Sequence, residues 1–250
     1  MSGHSKWSQI KHKKGITDQK KGQLFSKLSK KISIAAKSGP DPSTNYRLQT
    51  AVEEARAVNM PKDNIERAIK KSSDKNAAEL RELFIQGIGP ASIAVVVEAI
   101  TDNTNRTINE VRGIFIKNNI RVADAGSLDW MFDKRGIIKA ITALKDKTTA
   151  PEEKGEVSLL DENIELQLIE AGAEDIKRDE TEFSIICLPE NIQNIKSALA
   201  ELGFSTEYAQ IELVAKNKIA INDKDKLNLE KLFEELDMHD DVESVYSNIE

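Results

Sequence analysis

The sequence predicts an α+β chain: an N-terminal three-helix domain followed by two ferredoxin-like α/β domains, one inserted in the other. Three observations predict it. Before residue 78, apolar residues recur at three- and four-residue spacing in three runs separated by proline and glycine. Beyond it, β-branched runs such as "SIAVVVEAIT" alternate with amphipathic stretches, the texture of helix-backed sheets. The charge divides at the same place. Residues 1–75 hold 17 Lys+Arg against 7 Asp+Glu, a net of +10, so the chain total of −6 leaves −16 for residues 76–250. A cationic module on an anionic body suits a polyanionic partner.

Taking the elements in order, residues 2–15 have no helical or strand period and interleave His4, Lys6, Trp7, Lys11, His12, Lys13 and Lys14 with small polar residues. Such an arm suits a phosphate backbone, because lysines release counterions and an aromatic ring stacks on a base. Helix 19–37 follows, with Leu24, Phe25, Leu28, Ile32 and Ala35 as its apolar stripe. At about 100° per residue, Lys27, Lys30 and Lys37 fall mostly on the far side, and Lys20 and Lys31 at the flank. "SGPDPS" is a turn with Gly39 as helix C-cap. A second helix covers about 45–58, with Leu48, Val52 and Ala55 inward. Asn59 or Met60 then caps a third helix opened by Pro61 at its first position, with Asp63–Arg67 and Glu66–Lys70 as i,i+4 pairs. The step through "AVNMP" has a weak helix-turn-helix look.

"SSDKNAAE" (72–79) reads as a linker. A strand at 92–101, a helix at 104–118 with Ile108, Val111 and Phe115 inward, a half-buried strand "SLDWMFD" (127–133) and a strand at 137–141 come next. After a loop at 145–156 come a helix bearing Ile164 and Leu168, a strand at 182–188, and a helix from Ile192 that Gly203 ends. The strand at 206–214 is expected to carry Ala209, Ile211 and Leu213 on one side. A helix around Leu229–Leu236 and a strand at 241–249 close the chain as given. The domains expected are 1–78, then 79–133 together with 218–250, and an inserted 134–217.

Several stretches, "GHSKW" (3–7), "IKHKK" (10–14), "FSKL" (25–28), "NMPKDNIERAIKK" (59–71), "TDNTNRT" (101–107) and "EVR" (110–112), resemble the YebC/PmpR family of probable transcriptional regulators, which includes a mitochondrial translational activator. They are specific jointly and extend through the first half of the chain. The resemblance implies a three-domain cytoplasmic DNA-binding protein without known catalysis, with a link to translation as well. The chain departs from the family pattern at "GIGPAS" (87–92) and at "ADAGSLDWMFD" (123–133).

Other chemistry is weakly marked. Cys187, the sole cysteine, lies between Ile186 and Leu188 and reads as a core thiol. His4, His12 and His239 have no metal-ligand spacing, so no metal or cofactor is expected. "QGIGPAS" (86–92) lacks the residues of a phosphate cradle and reads as a tight turn. In "TDNTNRT", Thr104 or Asn105 is expected as N-cap, with Arg106 available to a phosphate or a carboxylate. Glu53–Glu54 and Glu152–Glu153 read as solvated surface. No enzyme is expected, nor a membrane-spanning run. The expected function is binding of nucleic acid by a cytoplasmic regulator of gene expression, with DNA as ligand, or ribosomal RNA in a translation factor as the alternative. The expected contact residues are His4, Lys6, Trp7, Lys11, His12, Lys13, Lys14, Lys20, Lys21, Lys27, Lys30 and Lys31. A protein partner for the acidic domains and a monomeric state are also expected.

Overall fold

The structure is a computed structural model and describes residues 18–73, 79–142, 162–178 and 182–250. Three helices come first: α1 (Asp18–Ala36), α2 (Tyr46–Ala57) and α3 (Lys62–Lys71). Leu24, Leu28, Ile32 and Ala35 of α1 bury against Leu48, Val52 and Ala55 of α2 and Ile65 and Ala68 of α3. Asn45 ties the first two helices together. Its side-chain oxygen accepts the Leu48 N–H at the start of α2, and its Nδ2 donates to the Ala35 and Gly39 carbonyls at the end of α1. Gly39 (φ +153°) supplies the turn that ends α1.

Two four-stranded antiparallel sheets follow. Their strands are β1 (Arg81–Ile88), β2 (Ala94–Thr101), β3 (Arg121–Val122), β4 (Phe132–Thr142), β5 (Ala173–Arg178), β6 (Glu182–Cys187), β7 (Phe204–Ala215) and β8 (Val242–Ser247). The helices among them are α4 (Thr104–Lys117), α5 (Glu162–Glu170), α6 (Ile192–Glu201) and α7 (Asp223–Asp237). The chain divides into two compact units, one running to Phe132 and resuming at Val214–Glu250, the other Asp133–Leu213.

In the first unit the sheet order is β3-β1-β2-β8, built on the central β1–β2 hairpin. β2 is buried along its length except at Glu98, as its unbroken apolar run predicts. Val95 and Val97 pack with Val111 and Phe115 of α4 and Leu229, Leu232 and Leu236 of α7. Gly87 of β1 lies under α4, where an added Cβ would stand 2.5 Å from Ile120 Cγ2 and 2.7 Å from Phe115 Cε2. The predicted tight turn at 86–92 is a hairpin turn of residues 90–92, with Ala91 and Ser92 at positive φ.

In the second unit the order is β5-β6-β4-β7, the split βαββαβ arrangement of a ferredoxin-like sheet. Its buried residues include Ile137, Ile138, Ala140, Leu168, Ile185, Ile195 and Leu199. Phe183 and Phe204 meet edge to face at 5.0 Å. Cys187 is buried, and burial pushes its thiol up to about 11, so the reading as an inert core thiol stands.

Several local expectations are corrected. "SLDWMFD" is not a strand until Phe132. Gln86 accepts the Leu128 N–H at 2.8 Å and donates to Asp129 at 2.6 Å, which fixes a turn that leaves Trp130 67 % exposed. β1 lies where the sequence pattern predicts no strand. On β7 the buried row is Tyr208, Gln210 and Glu212 rather than Ala209, Ile211 and Leu213. The Tyr208 hydroxyl donates to Glu212 and lies within hydrogen-bond distance of Gln210, so that row is buried with its polar groups paired. Asn103, one residue earlier than expected, is the N-cap of α4 and accepts the Arg106 N–H. Pro61 is the N-cap of α3, not its first helical residue. Arg67 bonds Asn64 and the Asp63 carbonyl, and Glu66 pairs with Lys62, in place of the expected i,i+4 pairs. Glu54 is buried and ion-paired rather than solvated, while Glu152–Glu153 lie outside the described residues.

Candidate nucleic-acid interface

Of the expected contact residues, His4, Lys6, Trp7, Lys11, His12, Lys13 and Lys14 lie outside the described residues, as does the side chain of Lys20. Lys21 is exposed on α1, its ammonium 5.8 Å from the centre of the Phe25 ring. Lys27 and Lys30, expected on the outward side, and Lys31, expected at its flank, are instead engaged within the chain. Lys27 is 8 % exposed and donates to the Asp237 carbonyl at 2.7 Å. Lys30 pairs with Asp241 at 2.6 Å and bonds the Asp240 carbonyl at 3.0 Å. Lys31 pairs with Glu54 at 2.7 Å. Lys37 is exposed as expected, although its ammonium donates to the Leu80 carbonyl at 2.7 Å. The apolar stripe of α1 meets α2 and α3, and its opposite side meets the sheet and the turn between α7 and β8. A helix covered on two sides turns Lys27, Lys30 and Lys31 to its own chain and leaves Lys21 outside.

Asp241 is the centre of this seam. Its Oδ1 takes Lys30, and its Oδ2 takes the Arg106 guanidinium at 2.8 Å, the Thr107 hydroxyl at 2.7 Å and the Thr101 hydroxyl at 3.1 Å. Burial alone would push its carboxyl up. The hydrogen bonds from Lys30, Arg106 and Thr107 outweigh that and hold it well below the usual carboxylate range. "TDNTNRT" thus brings two hydroxyls and a guanidinium onto one carboxylate, and Arg106 finds its partner within the chain.

Glu110, His239 and Asp241 converge closely enough to suggest a metal site. The donor set does not fit one. Both Asp241 oxygens are already taken by two cationic side chains and two hydroxyls. His239 Nδ1 accepts the Asp241 N–H at 3.1 Å, and Nε2 lies 3.0 Å from Glu110. The cluster is a hydrogen-bonded ion-pair network. A cleft of 820 Å³ runs beside it, lined among others by Gln23, Lys30, Arg106, Lys117 and Glu235.

A second charged layer lies between α1, α2 and the sheet. Glu243 of β8 is pushed up to about 7 by burial and by Glu54 and Glu98, against the pull of Lys31 and Lys27. The Tyr246 hydroxyl donates to Glu98 at 2.9 Å. Neither Asp241 nor Glu243 was singled out in the sequence. The available signal was the i, i+4, i+7 spacing of Gln23, Lys27 and Lys30, a polar stripe that matches a second packed face.

Comparison with known proteins decides the family. The model of the TACO1/YebC N-terminal domain matches residues 5–75, and that of the TACO1/YebC second and third domain matches residues 80–249. The chain belongs to the TACO1/YebC family. A probable transcriptional regulatory protein of Caldanaerobacter subterraneus is 44 % identical, over 100 % of this chain and 98 % of that protein. Another so described, from Desulfotalea psychrophila, is also 44 % identical, over 100 % and 96 %. The crystal structure of a conserved hypothetical protein from Aquifex aeolicus matches with a TM-score of 0.81 at 36 % identity, covering 98 % of this chain and 97 % of that one. The family expected from "GHSKW" and "NMPKDNIERAIKK" is therefore the family found. Among the described residues, no helix is long and apolar enough to cross a membrane.

Proposed function

We propose that this TACO1/YebC-family chain is a non-enzymatic regulator of gene expression that binds nucleic acid, with DNA as its ligand, in the cytoplasm. The observation that carries this is charge: ten lysines against one acid in residues 1–37. The lysines at 27, 30, 31 and 37 are engaged within the chain, so binding is assigned to the arm: Lys6, Lys11, Lys13 and Lys14, with Trp7, His4 and His12, helped by Lys21. The description of its relatives as probable transcriptional regulatory proteins agrees with this reading. The acidic units are assigned to a protein partner or to orientation on the polymer.

Deleting residues 1–15 should abolish the gel shift of duplex DNA at 100 mM salt while leaving the circular dichroism melt in place. Undiminished binding by the truncated protein would sink the proposal. Ribosome co-sedimentation that depends on the same arm, without duplex binding, would transfer the function to ribosomal RNA.

A further inference from the structure

One face of α1 is covered by a single short stretch of the chain's own acidic sequence. Gln23, Lys27 and Lys30 stand at i, i+4 and i+7, a stripe about 10 Å long at 1.5 Å per residue. Gln23 Nε2 donates to Asp240 Oδ1 at 3.4 Å, Lys27 to the Asp237 carbonyl, and Lys30 to the Asp240 carbonyl and Asp241 Oδ1. All four acceptors belong to "DMHDD" (237–241), which presents oxygens to the stripe much as a phosphate chain would.

We infer that this stripe is a second polyanion-binding surface, held shut by the 237–241 turn, and that nucleic-acid phosphates compete with the turn for it. The inference rests on the proposed nucleic-acid function and adds to it a surface and a means of exposing it.

Three features make the closed contact one that can be exchanged. First, the helical head and the first sheet have separate cores. One apolar cluster draws its buried residues from 24–68, the other from 85–245, and among the described residues none is shared. Polar links between the two include the contacts of the stripe, Lys37 with Leu80, and an Arg47–Glu82 ion pair, and α1 also rests on β2. Second, Lys27 is held at a cost. Its ammonium donates to a neutral carbonyl, and burial pulls its pKa down even though Glu243, Asp237 and Asp240 oppose this. A phosphate offers a charge-assisted bond, roughly twice as strong as a neutral one. Third, the stripe and the turn open on one cleft, lined by Lys30, Arg106 and Lys117 together with Glu110, Glu235, Asp240 and Asp241, so a strand entering it reaches Lys30 and the turn's carboxylates at the same place. A ligand opens such a contact only by the difference in its affinity for the open and closed forms, which is the term that salt measures.

The test uses the full chain with Gln23→Cys and Asp240→Cys joined by a short bismaleimide, which ties the turn to the stripe. Cys187 is buried and does not compete for the reagent. The probe is a fluorescein-labelled 20-base-pair duplex DNA, read by anisotropy from 50 to 300 mM KCl. The unbridged protein should show a slope of log K against log salt steeper by about 1.8 than the bridged one, two phosphates at 0.9 each. Its affinity at 50 mM should also be several-fold higher. Equal slopes and affinities overturn the inference while leaving arm-based binding intact. No duplex binding by the wild-type protein at 50 mM defeats the nucleic-acid reading itself. Lys27→Met gives a second check without bridging: the slope should fall by about 0.9, and an unchanged slope in the folded variant assigns Lys27 a structural role only.

Discussion

Asp241 and Glu243 stand two residues apart at the start of β8 and respond to burial in opposite ways. Asp241 accepts bonds from two cations and two hydroxyls, so its ionised form is favoured. Glu243 sits among Glu54 and Glu98 as well as Lys27 and Lys31, and burial prevails. The sign for Glu243 follows from its folded pKa of about 7 against an ordinary value of 4.5. The folded state binds the proton more tightly, so the group's contribution is most favourable below 4.5 and is lost as pH rises through 7. Glu243→Gln should therefore raise the melting temperature at pH 8.5, by a stability gain of roughly 1–3 kcal/mol, and change it little at pH 5. Equal shifts at both pH values would show that the carboxyl is not protonated in the fold.

At the scale of elements, Gly87 sets how closely α4 approaches β1. Gly87→Ala would put a methyl 2.5 Å from Ile120, and overpacking of this kind costs about 1–3 kcal/mol. Chemical denaturation of the variant should show that loss, and Ile120→Ala in the same chain should recover part of it. The elements that could be read from the sequence are those whose pattern is set by one neighbour. The apolar stripe of α1, the unbroken run of β2, and Val111 with Phe115 on α4 each declare their buried face by period. β1 escaped because "ELFIQGI" replaces a side chain by Gly87 at the point of closest packing. On β7 hydropathy points to the opposite face, because Tyr208, Gln210 and Glu212 satisfy one another and hydropathy does not register that. Lys27 and Lys30 of α1 differ from the expectation for a related reason. A helical period gives the angle of each residue around the axis but not what covers the second face, and here that cover is separated by about 210 residues.

At the scale of the whole molecule, the opposed net charges of +10 and −16 make ionic strength the controlling variable for any polyanion partner. Replacing Lys13→Glu together with Lys14→Glu should lower the salt slope of duplex binding by about 1.8 and weaken binding at least tenfold at 100 mM salt. The melting temperature should be unchanged, since among the described residues the apolar clusters draw on residues from 24 onward. Filter-binding isotherms at several salt concentrations check both numbers. A parallel downward shift at unchanged slope would mean that these two lysines do not meet phosphates.

The pairing of β2 with β8 sets Val97 opposite Val245, 148 positions further along the chain. At a synthesis rate of about 5–20 residues per second, that separation is roughly 7–30 s of translation. Throughout the interval a strongly apolar strand edge waits on the nascent polypeptide for its neighbour. Ribosome-bound intermediates halted before residue 242 should thus be the species most prone to recruit chaperones or to aggregate.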